Sequence, residues 1–435
     1  MPAPRSRDLM RLSLLYLPMT LFWTAMQLQV LPERIEILAG TQKGLYLALV
    51  GSVGALAATF CMLVVGPLSD HTTHRCGRRY PWVVGGIAVG VAGILIFAVA
   101  RALPLLLLGF VTARLGLAAA VAGYEAILPE RVPPNYQSRA SGWSECFDLI
   151  GQVAGVALLS LMVRGTLNSL FSLQLSASEE ANLGVLLICL LCAAALLGLL
   201  TLNLPWIRGP VWPREAALPW HQALRRAFAW RPMDAPDFFR LYLSRSVLNM
   251  GTYTGVEFLR YFVAEALPMQ NTDLSHEVMM IGLCVTGGGV FGALLGGWLG
   301  DFFPKRALLY LFCGIAALAA AGICVSTSIP QARAVAFCFG IGFSAINAID
   351  WAFALSLVPP GEEARYLSMF QTCFYLPQVA VLGAGGLIGQ HFGYRALFWT
   401  IPFWFISGML MLRRVREPMR SNSPQETRQT EALDR

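Results

Sequence analysis

Long apolar runs separated by short polar segments dominate this chain. A helix that crosses the hydrocarbon core of a bilayer needs about 20 mostly apolar residues. Twelve runs of about this length can be placed on the sequence, at approximately 11–31, 44–68, 81–100, 103–128, 139–163, 183–204, 238–265, 277–300, 307–326, 333–357, 366–390 and 394–412. The pattern therefore predicts an all-α membrane protein with twelve transmembrane helices.

The apolar pattern stops between residues 205 and 237, where prolines alternate with tryptophans. Tryptophan is enriched at the membrane–water interface, so this segment is predicted to be a cytoplasmic linker between two six-helix halves. Residues 414–435 are polar and lack periodicity, which predicts a disordered tail. The predicted organisation is an N-terminal bundle, a linker, a C-terminal bundle and a tail, at 1–204, 205–237, 238–413 and 414–435.

Composition excludes a soluble protein, because 56% of the 435 residues are hydrophobic and only 13% are charged. The net charge of +7 would suit nucleic acid, but most Lys and Arg residues fall on one side of the predicted helices. Cytoplasmic segments of membrane proteins carry such an excess. We therefore expect both termini in the cytoplasm, a multi-pass protein of a bacterial-type inner membrane that contacts lipid, and no nucleic-acid partner.

The sequence predicts neither a metal site nor an enzyme. Cys189 and Cys192, and likewise His71 and His74, have the spacing of metal ligands, but neither pair has a third ligand nearby. The His residues lie at or near predicted loops, far from any clustered Ser or Cys that could act as a nucleophile. We expect no metal, no other cofactor and no catalytic activity.

One short motif occurs in both halves, each time where a long apolar run meets a basic loop. The first copy is Gly66-Pro-Leu-Ser-Asp70 with Arg75, Arg78 and Arg79, and the second is Gly296-Gly-Trp-Leu-Gly-Asp301 with Lys305 and Arg306. A second anchor repeats in the same order, since Val132-Pro-Pro precedes Arg139 and Val358-Pro-Pro precedes Arg365. Internal repeats of this kind are found in secondary transporters, so the duplication predicts two pseudo-symmetric bundles.

The first copy, continued to Trp82, resembles the signature loop between the second and third helices of the major facilitator superfamily. Its extended form is most similar to that of the sucrose/proton symporters and the glycoside/pentoside/hexuronide cation symporters, with His71 where those families usually have Arg. The segment from Ala126 to Pro134, followed by Arg139, resembles the loop between helices four and five of the same symporters.

This resemblance implies the major facilitator fold, in which two six-helix bundles rock about a central site and a monomer is sufficient. It also implies that the acidic residue of each motif pairs with arginine and with a helix N-terminus, which locks the halves in an outward-open state. A carboxylate gains from both neighbours; the alternative is that the arginines only set membrane orientation. The residues assigned to this conformational latch are Asp70, Arg75, Arg78, Arg79, Asp301, Lys305, Arg306, Arg139 and Arg365.

Ionisable residues inside the predicted helices are candidates for proton coupling, because each costs at least about 2.5–3.5 kcal/mol to insert into lipid. Ser141, Glu145, Asp148 and Gln152 follow helical spacing and share one face. Arg114 lies near the middle of its helix and needs a partner, for which Asp148 or Glu145 is predicted. A protonatable pair would couple transport to protons, whereas a static pair would only join two helices. The coupling candidates are Asp148, Glu145, Arg114, Glu125 and Asp350.

Neutral hydrogen-bonding side chains and aromatic rings at mid-helix positions suit a polyhydroxyl ligand. The same side chains could instead bond one helix to another. The substrate-binding candidates are Trp23, Gln27, Gln152, Asn249, Tyr253, Asn347 and Gln378.

These observations predict a secondary active transporter that works by alternating access, with proton-coupled (or sodium-coupled) symport of a sugar or related small polar solute. Two alternatives remain open. An efflux transporter of small molecules or drugs would normally carry a proline and paired glycines in helix five, where this chain has Gly151-Gln-Val-Ala-Gly155. A non-transporting assembly factor for pigment proteins would share a related basic loop.

Overall fold

The computed structural model describes residues 6–26, 30–39, 43–158, 167, 169, 176–209, 221–222, 225, 235–267, 274–359 and 362–416. Every regular element among them is helical. The α-helices are α1 (Ser6–Ser13), α2 (Tyr16–Ala25), α3 (Leu31–Ala39), α4 (Lys43–Asp70), α5 (Tyr80–Ala98), α6 (Leu103–Glu125), α7 (Ile127–Arg131), α8 (Gln137–Leu158), α9 (Ala177–Ile207), α10 (Pro236–Ala266), α11 (Leu274–Phe302), α12 (Lys305–Val325), α13 (Ile329–Leu357), α14 (Glu363–Phe392), α15 (Tyr394–Phe398) and α16 (Thr400–Met411).

Each of the twelve predicted apolar runs coincides with one or more of these helices, but some are interrupted. The helices break at residues 14–15, at Ala126 and at Trp399. Each break lies three or four residues before a proline, namely Pro18, Pro129 and Pro402. A proline cannot donate to the carbonyl four residues earlier, and its ring clashes with that carbonyl, so the apolar runs are interrupted at these points.

Eight of the helical segments in the described ranges are long and apolar enough to cross a bilayer, judged by length and composition. They are Leu49–Asp70, Tyr80–Ala98, Leu103–Arg131, Asn182–Ile207, Glu277–Phe302, Lys305–Val325, Ile329–Leu357 and Tyr394–Arg414. Helices α8, α10 and α14 are outside this set, and they carry many of the polar residues predicted to line the site.

The apolar interior is divided between the two halves. One buried cluster is built almost entirely from residues 9–207 and the other from residues 238–415. Within the second half, α11 and α13 approach closely, because Gly288, Gly292 and Gly340 leave no space for a Cβ against the facing backbone. Small residues allow such close packing in lipid, where dispersion must supply the association energy.

The halves meet where α4 packs on α14 and where α8 packs on α11 and α13. Glycines again set the distance, since a Cβ at Gly142 would lie 2.5 Å from the Ala293 carbonyl oxygen and one at Gly66 2.6 Å from that of Ala364. We call the end of the molecule that carries the loops at 71–79 and 303–304 the motif face. The opposite face carries the turns at 99–102 and 326–328.

The first residues of the predicted linker belong to a helix. Helix α9 continues to Ile207, and the Gly209 amide donates to the Cys76 carbonyl oxygen at 2.9 Å. Gly77, with φ of 102°, is required here because a Cβ would lie 2.7 Å from the Gly209 nitrogen. Most of the linker before α10, and the predicted tail from residue 417 onward, lie outside the described residues.

Candidate functional site

Asp70 ends α4 and reaches across to the other half of the molecule. Its side chain is 1% exposed, and its Oδ1 lies 2.6 Å from Nη2 of Arg79. The backbone amides of Ala364 and Arg365, in the first turn of α14, donate to the two carboxylate oxygens at 3.2 and 3.0 Å. The first amides of a helix have no partner within it and favour a negative charge. Asp70 therefore joins its own half to the start of α14.

Two further carboxylates complete this group. Glu130 accepts from Nε of Arg78 and from Nε of Arg79, each at 2.9 Å, and Nη2 of Arg78 donates to Glu363 of the second half at 3.2 Å. Burial alone would lower the pKa of Arg79, but Asp70 and Glu130 outweigh it and raise that pKa. We call Asp70, Arg78, Arg79, Glu130 and Glu363 the Asp70 cluster.

Asp301, the repeat equivalent of Asp70, makes a smaller cross-connection. Its carboxylate lies 2.9 Å from Nε of Arg139, and it also accepts the Arg139 backbone amide at 3.2 Å. Arg139 lies in the first turn of α8, so a helix N-terminus again faces a carboxylate from the other half. We call Asp301 and Arg139 the Asp301 cluster.

The remaining predicted latch residues make other contacts. Lys305 donates to the Ala352 carbonyl oxygen at 2.9 Å, and Arg306 donates to the carbonyl oxygens of Arg413 and Val415, all within the second half. The Arg365 side chain pairs with Glu362, three residues earlier on the chain. Arg75 is exposed and makes no ion pair among the described residues. The sequence could not separate these roles, because all the basic residues follow similar motifs.

The polar face of α8 is divided between two neighbours. Asp148 accepts from Nε2 of Gln152 at 2.9 Å and from the Thr20 hydroxyl of α2. One turn earlier, Glu145 accepts from Nδ2 of Asn347 at 2.6 Å, and Asn347 belongs to α13 of the other half. Both carboxylates therefore take hydrogen bonds from neutral groups.

Arg114 stacks on an aromatic ring of its own half. Its guanidinium carbon is 3.4 Å from the centre of the Trp23 ring, a cation–π geometry. The hydrogen bonds described above for Asp148 and Glu145 come from Thr20, Gln152 and Asn347, and a pairing of either carboxylate with Arg114 stays a prediction. Helical periodicity predicts which side chains share a face of one helix, but not which faces of two helices pack together.

Arg245 of α10 is a site residue that the sequence analysis did not select. It is 1% exposed, donates to the Asn347 side chain, and has its Nε 3.4 Å from Oδ2 of Asp350. A chain of contacts therefore runs from Glu145 in the first half through Asn347 and Arg245 to Asp350. An arginine inside an apolar run was the available signal, although its partners lie about 100 residues away in α13.

The other candidates are also held by neighbours. Gln371 donates to Glu125 across the halves, and Gln378 donates to Glu257 at 2.8 Å. The Asn249 amide donates to the Cys373 backbone carbonyl at 2.8 Å, which bonds α10 to α14. Tyr253 is half-buried, and Gln27 lies outside the described residues.

A family model described as Major Facilitator Superfamily matches residues 12–382. This chain belongs to the major facilitator superfamily. The predicted twelve-helix fold is thereby confirmed, and the protein is a multi-pass membrane transporter rather than an enzyme. The match identifies the superfamily only. The resemblance to the sucrose/proton and glycoside/pentoside/hexuronide symporters stays a prediction.

Solved transporters share the fold at low sequence identity. FucP, in the outward conformation, is 15% identical, with a TM-score of 0.72, and the match covers 94% of this chain and 98% of FucP. The proton:xylose symporter XylE is 12% identical, with a TM-score of 0.69 and coverage of 94% and 96%. A bacterial homologue of the iron transporter ferroportin, in an outward-facing state, is 15% identical, with a TM-score of 0.67 and coverage of 94% and 99%.

Proposed function

We propose that this transporter is a proton-coupled symporter of a sugar or a related small polar solute. The observation that carries the proposal is the environment of its intramembrane carboxylates. Asp148, Glu145, Glu125 and Glu257 accept hydrogen bonds from Thr, Asn and Gln side chains. A carboxylate held by neutral donors loses less on protonation than one paired with a cation, because a cation specifically favours the charged form.

Asp148 is the proposed coupling residue, and the contacts of Glu145 provide the link to the second half. Protonating Glu145 would weaken its hold on Asn347, which also contacts Arg245. Arg245 and Asp350 would then remain as a pair within the second half. A change of proton occupancy that acts on a contact between halves can bias two conformations differently, as coupling requires.

We assign the latch to the two clusters at the motif face. Each places a carboxylate of one half at a helix N-terminus of the other, so that rocking the halves apart must break both. Among the described residues, hydrogen bonds between the halves extend from these clusters to Glu145, which supports an arrangement closed at the motif face. Arg75, Lys305 and Arg306 are assigned to orientation or packing within their own half.

The solute site is assigned to the middle of the bundle, with Trp23, Gln152, Asn347, Gln378 and Tyr253 as contacts. Amide side chains and an aromatic platform suit hydroxyl groups. Two structural neighbours, FucP and XylE, are proton symporters of fucose and of xylose respectively. The bias of basic residues supports a bacterial-type inner membrane with both termini cytoplasmic.

The test is uptake of labelled mono- and disaccharides into proteoliposomes, with and without an inward proton gradient. The wild type is expected to accumulate at least one sugar only with the gradient. Asp148→Asn should abolish this accumulation but retain counterflow, which needs no net proton movement. Asp237→Asn, at an exposed ion pair near the start of α10, is the matched control and should behave like the wild type.

Two results would contradict the proposal. Gradient-driven accumulation by Asp148→Asn would make Asp148 a structural residue. Absence of any sugar uptake by the wild type would favour a different solute, an efflux direction, or the assembly-factor alternative, and a reversed gradient tests the second of these.

A further inference from the structure

The two clusters at the motif face differ in their protection from the surroundings. In the Asp70 cluster, the side chains of Asp70 and Arg79 are 1% and 2% exposed, and two further carboxylates share the arginines. In the Asp301 cluster, Asp301 is 3% exposed but Arg139 is 27% exposed. Arg139 is therefore the cation of the two clusters that a ligand can reach.

Arg139 opens onto a groove between the halves. The groove has a volume of about 410 Å³ and is lined by Ser6, Arg139 and Trp143 of the first half and by Leu294 and Trp298 of the second. Trp298 is 51% exposed and packs against Phe302 with the ring centres 5.2 Å apart. The Phe302 ring lies 5.5 Å from the Arg139 guanidinium carbon. One cation is thus surrounded by aromatic rings at the edge of a membrane-spanning pair of helices.

The chemistry of this lining fits a phospholipid. Tryptophan prefers the headgroup level of a bilayer, where its ring is in an apolar layer and its N–H is near water. Arginine binds phosphate oxygens through a planar fork of donors. Arg7 and Arg11 of α1 are exposed at the same end of the molecule and add positive charge, which favours an anionic headgroup over a zwitterionic one.

We infer that this groove binds an anionic phospholipid, with the lipid phosphate on Arg139 and an acyl chain along Leu294 and Trp298. The phosphate competes with Asp301 for the same guanidinium, so that bound lipid loosens the Asp301 cluster while the buried Asp70 cluster stays intact. The lipid would therefore act on one of the two clusters that join the halves at the motif face. This site is separate from the proposed solute site and does not depend on which solute is carried.

Lipid binding is tested by native mass spectrometry of the full chain in detergent micelles, with phosphatidylglycerol and phosphatidylcholine of identical acyl chains. We expect phosphatidylglycerol to bind about fivefold more tightly, the ratio expected from one basic residue at an anionic surface. Arg139→Gln should reduce this preference, to which the exposed Arg7 and Arg11 also contribute, and Trp143→Leu or Trp298→Leu should weaken binding of both lipids. Trp399→Leu, at an exposed tryptophan near the opposite face, is the matched control and should bind like the wild type.

The effect on the cluster is tested separately by hydrogen exchange. Phosphatidylglycerol should speed amide exchange at Arg139, whose N–H donates to Asp301, and leave exchange at Ala364 and Arg365 unchanged. Equal affinity for the two lipids, or an unchanged preference in Arg139→Gln, would overturn the site. Displacement of the lipid by millimolar inorganic phosphate alone would show a simple anion site and overturn the assignment to lipid. Equal acceleration at both clusters would overturn the selective loosening.

Discussion

A buried carboxylate such as Asp70 requires compensation, because burial costs several kcal/mol for each ion. Its compensation comes from Arg79 and from the two α14 amides. The arginine depends equally on the carboxylate, since it is only 2% exposed. The pair is therefore sensitive to the loss of either partner.

Asp70→Asn should destabilise the protein by at most about 3–5 kcal/mol, the cost of breaking a buried ion pair, because Arg79 keeps Glu130 as a second partner. Part of this cost should fall on the contact between halves, because a neutral amide oxygen is a weaker acceptor for the Ala364 and Arg365 amides. The measurement is the apparent melting temperature in detergent, with hydrogen exchange at the start of α14.

Asp237→Asn is again the control, since the Asp237 and Arg240 side chains are 26% and 43% exposed. Exposed ion pairs contribute at most about 1 kcal/mol, so the melting temperature should hardly change. Equal effects of the two substitutions would show that the Asp70 contacts contribute little to stability.

Helix pairs in this molecule depend on glycine at the points of contact. In α11, a Cβ at Gly292 would lie 2.7 Å from the carbonyl carbon of Ile341 in α13, and the backbone cannot give way without moving a helix. Gly282 lies in the same helix, and a Cβ there would meet nothing within 4 Å. Two glycines of one helix thus have different structural roles.

Gly292→Ala should separate α11 from α13 and destabilise the protein by about 1–3 kcal/mol, the usual cost of overpacking. Gly282→Ala should be neutral or slightly stabilising, because alanine has the higher helix propensity. Thermal unfolding in detergent compares the two variants. A loss of stability in Gly282→Ala of the same size would attribute the effect to the helix itself rather than to its packing.

At the scale of the whole molecule, the two faces should lie on opposite sides of the membrane. The loop at Arg75 and the turn at Arg101 are both exposed, at the motif face and the opposite face respectively. The excess of basic residues at the motif face predicts that this face is cytoplasmic.

Cysteine labelling in oriented vesicles tests this prediction. A membrane-impermeant maleimide should label Arg75→Cys only in inside-out vesicles and Arg101→Cys only in right-side-out vesicles. The wild type is the control, because Cys76 is partly exposed and sets the background at the motif face. Labelling of Arg101→Cys from the cytoplasmic side would reverse the proposed orientation.

Much of the architecture could be predicted from local patterns. Apolar runs long enough to cross a bilayer predicted the helices, and the duplicated motif predicted two pseudo-symmetric bundles. The family match confirms this fold. Asp70 accepts a backbone amide from the start of α14, and its role in a conformational latch stays a prediction. The breaks at residues 14–15, Ala126 and Trp399 were missed, because proline interrupts some helices here and is tolerated at Pro67, Pro205 and Pro377 in others.

The pattern along the chain determined the twelve apolar runs, the repeat, and which side chains share a face of α8, because helical periodicity is a local property. Only the tertiary structure decided the partners: Trp23 for Arg114, Asp350 and Asn347 for Arg245, and Glu257 for Gln378. It also decided that Arg139 is partly exposed while Arg79 is buried. These contacts join residues far apart in sequence, and they depend on how whole helices rotate and pack, which a local pattern does not encode.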